Sequence, residues 1–144
     1  MVTNEEFEKR IESKWPHMFS KPYGGVAVGP GWYKIVESLC QNIDDHCKWK
    51  NMQYEQFGRG APVEPVIVEQ IKEKFGGLRF YYSGGDDYVN GLVDMAESWA
   101  DETCEDCGAP GQKRSGGWLR TLCDHHEQAV SYTHLRAHET KANL

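Results

Sequence analysis

The sequence lacks the features that mark several large classes of protein. No apolar run approaches the ~20 residues of a membrane-spanning helix, and the first ten residues, MVTNEEFEKR, do not resemble a signal peptide. Basic residues are in the minority, since 16 Lys and Arg stand against 22 Asp and Glu and give a formal charge of −6. Nucleic acids are usually bound by a basic surface, so this balance makes them the less favoured partner. We expect a cytoplasmic protein without a membrane partner.

Motifs of common enzyme active sites are also missing. The chain has no G-x-S-x-G nucleophile motif, and no H-x-E precedes a P-C-x-x-C pair as a zinc deaminase requires. The glycine-rich segment 21–31 lacks the G-K-[ST] ending of a phosphate-binding nucleotide loop. The carboxylates are scattered, and Asp86 and Asp87 are explained as a helix cap. We therefore predict no catalytic residues and no enzymatic activity.

Cysteines are few, and three of the five belong to one pattern near the C-terminus. Cys104 and Cys107 are spaced C-x2-C, and Cys123 is followed by His125 and His126. Two such half-sites can place four ligands around one tetrahedral Zn²⁺, with Zn–S near ~2.3 Å. His126 is preferred to His125 as the fourth ligand because it repeats the C-x2 spacing. We predict Zn as the cofactor, in a closed structural site.

The segment between the half-sites is typical of a zinc ribbon. Glycines supply its turns, and 118–122 is predicted to be a short strand. Trp118 is interpreted as a side chain that covers the metal cluster. The domain organisation expected from these patterns is an α+β core over 1–103, a zinc ribbon packed on it over 104–130, and a disordered or artefactual tail. That tail, 131–144, has no periodicity and resembles translated adapter sequence.

The core is predicted to be α+β, with three helices on a small antiparallel sheet. Apolar residues recur at helical spacing in 3–15, 32–47 and 88–99, whereas 48–62 shows no clean period and is predicted to be a connection. In the third helix the predicted apolar stripe comprises Tyr88, Leu92, Met95, Ala96 and Trp99. Two strand-like runs flank Gly76–Gly77, which indicates a hairpin because both turn positions tolerate positive φ.

Two segments are candidates for ligand binding. On the second hairpin strand, Arg79 and Tyr81 face away from the core-forming set, and Lys74 adds positive charge nearby. Aromatic rings stack on nucleobases, and arginine binds phosphate with paired hydrogen bonds. The loop that leads into the second helix could present backbone N–H groups to an anion, although turn chemistry alone also explains its glycines. The predicted ligand set therefore contains Trp32, Gly29 and Gly31 in addition to Lys74, Arg79 and Tyr81.

The segments GPGWYKIVESLC, KFGGLRFYYSGG, TCEDCGAPG and GGWLRTLCDHH together resemble a group of small, uncharacterised phage and bacterial proteins. The likeness spans roughly Pro22 to His126 and implies a phage or mobile-element origin and the zinc ligands. We predict a non-enzymatic, phage-derived protein that counters host defence by binding or sequestering a host protein or an anionic nucleotide signal. The alternative is a zinc-ribbon nucleic-acid-binding or transcription accessory protein. A homo-oligomer is also considered, because a pocket can be built between protomers.

Overall fold

The computed structural model describes residues 2–20 and 23–128, and the predicted tail 131–144 lies outside them. The described part of the chain has an α+β fold, as predicted. Its elements include three long α-helices, one 3₁₀ helix, a three-stranded sheet and a two-stranded sheet. The helices are α1 (Asn4–Lys14), the 3₁₀ turn Pro30–Trp32, α2 (Tyr33–Phe57) and α3 (Asp87–Ala100). The strands are β1 (Val26–Ala27), β2 (Ile67–Lys74), β3 (Gly77–Ser83), β4 (Gln112–Arg114) and β5 (Arg120–Leu122).

The main sheet has three strands in the order β1-β2-β3 and is mixed. Strands β2 and β3 form the predicted antiparallel hairpin, but β1 pairs with β2 in parallel, with Val26 opposite Ile71. The prediction of a purely antiparallel sheet is therefore wrong for this strand. The chain leaves β1, runs through α2 and re-enters the sheet in the same direction, and such a crossover makes parallel neighbours.

The hairpin turn lies one residue earlier than predicted. Its two central residues are Phe75 and Gly76, with φ of 53° and 78°, and Lys74 pairs with Gly77 across it. Positive φ at both central positions is the mark of a type I′ turn, whose twist matches that of the strands. Gly77 is instead the first residue of β3.

Helix α2 is ten residues longer than its apolar periodicity indicates, so the connection predicted over 48–62 is wrong for its first part. The helix continues to Phe57 and ends at Gly58, which adopts the left-handed conformation with φ of 63°. Glycine takes that conformation without a steric penalty, and it is the usual residue after a helix. The last two turns carry Trp49, Tyr54 and Phe57 exposed, so they have no buried face to produce a period.

Helix α3 begins as predicted but buries a different face. Asp86 caps it by accepting a hydrogen bond from the N–H of Val89. The buried residues are Val89, Val93, Ala96 and Ala100, while Tyr88, Met95 and Trp99 of the predicted stripe are exposed. Helix α3 contacts both α2 and β3, and its buried residues belong to the core. The predicted stripe was therefore wrong except at Ala96 and the partly buried Leu92.

The core lies between the helices and the inner face of the sheet. Phe7 and Ile11 of α1 are fully buried, and the ring of Phe7 stacks on Tyr33 at 4.2 Å. The sheet contributes alternate residues of β2 and β3, among them Ile71, Leu78 and Phe80. Among the described residues, no helix combines the length and the apolarity that crossing a bilayer requires.

Candidate metal centre

Three sulfur atoms and one nitrogen converge near the C-terminus. The potential ligand atoms of Cys104, Cys107, Cys123 and His126 all lie within 4.8 Å of one another. Cys107 Sγ is 3.8 Å from Cys123 Sγ, and His126 Nδ1 is 3.6 Å from Cys104 Sγ and 3.2 Å from Cys123 Sγ. These four residues are the predicted ligands, and they lie close enough together to hold a metal ion.

Each half-site has its own local structure. The first is a tight turn in which the N–H of Gly108 donates to the carbonyl of Cys104 at 2.9 Å. The second opens a helical turn at 124–128, where the N–H of Glu127 donates to the carbonyl of Cys123. That turn directs His126 inward and leaves His125, the alternative ligand, exposed and outside the cluster.

A small antiparallel hairpin joins the two half-sites. Its strands are β4 and β5, and Lys113 pairs with Thr121 at its centre. The side chain of Arg114 bonds to Asp124 and Glu127, so the hairpin also supports the helical turn that carries His126. The predicted strand over 118–122 is thus confirmed only from residue 120 onward.

Backbone hydrogen bonds act directly on the cysteine sulfurs. Burial raises the pKa of Cys104, but N–H groups of Cys123, Cys107 and Asp106 point at its sulfur and bring the pKa below its usual value. At Cys107 the N–H of Ala109 lowers the pKa, yet burial and the sulfurs of Cys104 and Cys123 raise it overall. The cluster therefore brings three cysteine sulfurs close together, and a cation between them would favour their thiolate forms.

The candidate metal centre is attached to the core by Glu105, one of the two residues between Cys104 and Cys107. Glu105 is buried; its carboxylate accepts the N–H of Gly29 at 3.0 Å, and its carbonyl accepts the N–H of Gly31 at 2.7 Å. Next to it, the indole N–H of Trp32 donates to the carbonyl of Thr103 at 2.8 Å. The glycine-rich loop therefore packs directly against the candidate metal centre.

A second attachment joins the metal centre to the main sheet. Thr121 of β5 is fully buried, and its hydroxyl donates to the carbonyl of Gly76 at 2.7 Å. Arg120, beside it, binds Asp106 at 2.7 Å within the first half-site. The turn between β2 and β3 thus lies against the C-terminal hairpin.

The glycine loop and Trp32 do not form a surface site. Trp32 is 0% exposed and belongs to the core. The N–H groups of Gly29 and Gly31 already donate to Glu105, so they are not presented to an external anion. The structure brings these three predicted residues together, but it does so beneath the metal centre.

The other predicted ligand residues do share one surface. Lys72 lies directly opposite Arg79 across the hairpin, and the period of two places Lys74 and Tyr81 on the same outer face. Tyr81 is 39% exposed. Lys74 reaches over the ring of Phe75 at 5.8 Å, which extends the face to the hairpin turn. Trp32 is separated from this face because it lies in the core.

Two exposed apolar residues next to this face could not be recognised as surface residues from the sequence. Phe75 is 67% exposed and Trp118 is 81% exposed, and both line a cleft between the β2–β3 turn and the β4–β5 loop. The interpretation of Trp118 as a cover for the metal cluster is wrong, because its side chain points into solvent. Only the glycines around it, Gly116 and Gly117, indicated a loop.

No protein-family model matches this chain, and no curated protein or solved structure matches it either. The resemblance to small phage and bacterial proteins therefore remains a prediction from the segments that carry it. What the site can do has to be inferred from its own residues.

Proposed function

We propose that the Cys/His cluster binds one Zn²⁺ and that 104–128 is a zinc ribbon. Ligands at tetrahedral zinc distances, ~2.3 Å for sulfur and ~2.0 Å for nitrogen, lie roughly 3.5–3.8 Å apart. Two sulfur–nitrogen separations of 3.2 and 3.6 Å and one sulfur–sulfur separation of 3.8 Å are close to this range, and all four atoms lie within 4.8 Å of one another. Three thiolates and one imidazole are also a common zinc donor set. The closeness of these atoms is the observation that carries the proposal.

The zinc has a structural role in this proposal. All four tetrahedral positions would be filled by protein side chains, whereas a catalytic zinc keeps one position for water or substrate. Few apolar residues of the segment are buried, Cys104 and Leu122 among them. Metal binding to so small a unit can contribute on the order of 10 kcal/mol to its folding at neutral pH.

We infer that the chain itself is a non-enzymatic, phage-derived binding protein that counters host defence by binding a host protein. The origin and the host context come from the sequence resemblance. Binding is supported by the large exposed side chains Phe75, Tyr81 and Trp118. A nucleotide signal has weaker support than a host protein, because the N–H groups of Gly29 and Gly31 are occupied by Glu105.

One observation favours the second candidate, a zinc-ribbon nucleic-acid-binding protein. In the described residues, the ion pairs include none made by Lys72, Lys74 or Arg79. Unpaired cations beside exposed aromatic rings are features of single-strand binding surfaces. The formal charge of −6 opposes this candidate.

Titration of the zinc-loaded protein separates the candidates. Calorimetry against a panel of cyclic and linear nucleotides tests the nucleotide version, and anisotropy with labelled oligo-dT at low and high salt tests nucleic-acid binding. We expect no binding in either assay.

Nucleotide binding that is lost in Arg79→Ala would restore the nucleotide version. Oligo-dT binding that weakens steeply with salt would favour the second candidate. Hydrolysis of either probe that stops on metal removal would overturn the non-enzymatic proposal.

A further inference from the structure

The β2–β3 turn and the β4–β5 loop form one continuous surface, which we call the hairpin-tip surface. Glu73, Lys74 and Phe75 line one side of a cleft of about 450 Å³, and Gly117, Trp118 and Leu119 line the other. Lys72 and Arg79 extend this surface along the outer face of the sheet. A Cβ on Gly77 would lie 3.0 Å from Nη1 of Arg79 and 3.5 Å from Oδ1 of Asp101, so the guanidinium lies near the turn with one carboxylate in its neighbourhood.

The two loops that form the cleft are in direct contact next to it. The hydroxyl of Thr121 binds the carbonyl of Gly76, and a Cβ placed on Gly76 would lie 3.3 Å from the backbone of Leu119 and Arg120. The two loops therefore meet at their backbones, while Phe75 and Trp118 stand away from this contact. A volume of this size is within the range that encloses a small ligand or a few side chains.

The cations of this surface, Lys72, Lys74 and Arg79, outnumber the one acid that lines its cleft, Glu73. No ion pair within the described residues involves Lys72, Lys74 or Arg79, and the nearby acids are engaged elsewhere. Glu73 accepts the N–H of Gly76 within the turn, and Asp101 pairs with Lys113 at 3.5 Å. Complementarity therefore requires an occupant that brings its own negative charge.

We propose that the hairpin-tip surface binds an acidic peptide segment of a partner protein, with an apolar side chain of that segment inserted between Phe75 and Trp118. The peptide site rests on the proposed binding function and specifies the surface that would carry it. Exposed aromatic residues in a cleft are typical anchors of protein interfaces, and the cations around them fix the orientation of the segment. A nucleic acid fits less well, because its chain of phosphates would extend beyond these few cations over a protein with a formal charge of −6.

A display library of random short peptides, panned against the zinc-loaded full chain, tests this without a known partner. We expect enrichment of peptides that carry Asp or Glu beside an aromatic or large aliphatic residue. An enriched peptide should bind Trp118→Ala about tenfold more weakly or worse, since a central anchor is lost. The same peptide should also bind the double variant Lys72→Glu/Arg79→Glu more weakly. Basic peptides with a charge of the same size and opposite sign should bind that variant better than they bind the wild type.

The matched control is Trp49→Ala, which removes a tryptophan of 58% exposure on α2, and it should leave peptide binding unchanged. Unaltered melting temperatures in all variants show that folding is intact. Enriched peptides that bind Trp118→Ala as well as the wild type would overturn this surface while leaving a binding function in place. No enriched peptide at all would overturn the peptide proposal. Competition by oligo-dT for the same residues would assign the surface to nucleic acid.

Discussion

The carboxylate of Glu105 accepts the backbone N–H of Gly29 at 3.0 Å, and these residues are 76 positions apart in the chain. Glu105 lies between two cysteines of the metal cluster, and Gly29 lies in the loop that leads into α2. The contact therefore connects the candidate metal centre to the loop that precedes the longest helix. Metal binding and core packing are expected to be coupled through it.

Replacement of Glu105 by alanine should destabilise both the core and the metal centre. The half-buried N–H of Gly29 would lose its acceptor, and leaving such a donor unsatisfied costs up to about 1–3 kcal/mol. Denaturant unfolding of the zinc-loaded protein measures this loss, and competition with a chelator measures the accompanying fall in metal affinity. Glu102→Ala is the control, because Glu102 is exposed three residues away and should change neither. Equal effects in the two variants would mean that the contact carries no special stability.

Alanine at Gly31 should separate the glycine loop from the metal centre. A Cβ at this position would lie 2.1 Å from the carbonyl oxygen of Cys104, and the neighbour is backbone, which cannot rotate away. We expect a loss of about 1–3 kcal/mol in the free energy of unfolding, as for other overpacked sites. The control is Gly116→Ala, since a Cβ on Gly116 meets nothing within 4 Å. A Gly31→Ala protein as stable as the control would show that the loop and the metal centre do not pack as described.

Asp86 should make stability depend on pH in the acid range. Burial raises its pKa, but hydrogen bonds from His46 and the N–H of Val89, together with Lys50, outweigh this and hold the pKa at about 2. Because this pKa lies below its ordinary value of 3.8, the ionised carboxylate stabilises the fold above about pH 4. That contribution is lost as the pH falls toward 2.

Asp86→Asn isolates the charge, because asparagine is also a good helix cap. Denaturant unfolding of both proteins should show the wild type more stable above pH 4, with the difference shrinking as the pH falls to 2. Any loss of bound metal in acid should affect both proteins alike and cancel in the comparison. A difference that stays constant over this range would contradict the assigned role of the charge.

The parts of this fold that could be predicted from the sequence are those with local signals. The spacing of Cys104, Cys107, Cys123 and His126 identified four residues that the structure brings together. Coordination chemistry restricts the spacing of ligands along the chain strongly, so a matching pair of half-sites rarely arises by chance. A cap at Asp86 or Asp87 was predicted for a similar reason, since a cap is decided within three residues, and the structure has it at Asp86.

The parts that could not be predicted depend on contacts between distant segments. The loop glycines resembled an anion site, yet Gly31 is required by the close approach of Cys104, more than seventy residues away. The apolar stripe of α3 was misassigned because large side chains dominate a periodicity count, whereas the closely packed interface uses Val89, Val93 and Ala96. Exposed aromatic residues such as Trp118 break the rule that hydrophobic residues are buried, and sequence alone does not show where this happens.

We propose above all that the Cys/His cluster is a closed, structural zinc site. X-ray absorption at the zinc edge of the purified protein tests it most directly, with metal analysis of the same sample. We predict one zinc per chain, three sulfur ligands near ~2.3 Å and one nitrogen near ~2.0 Å, with Cys104→Ser removing one sulfur and lowering the melting temperature. A water oxygen in the first coordination shell, or a chain that folds with no zinc and melts unchanged after chelation, would contradict the account.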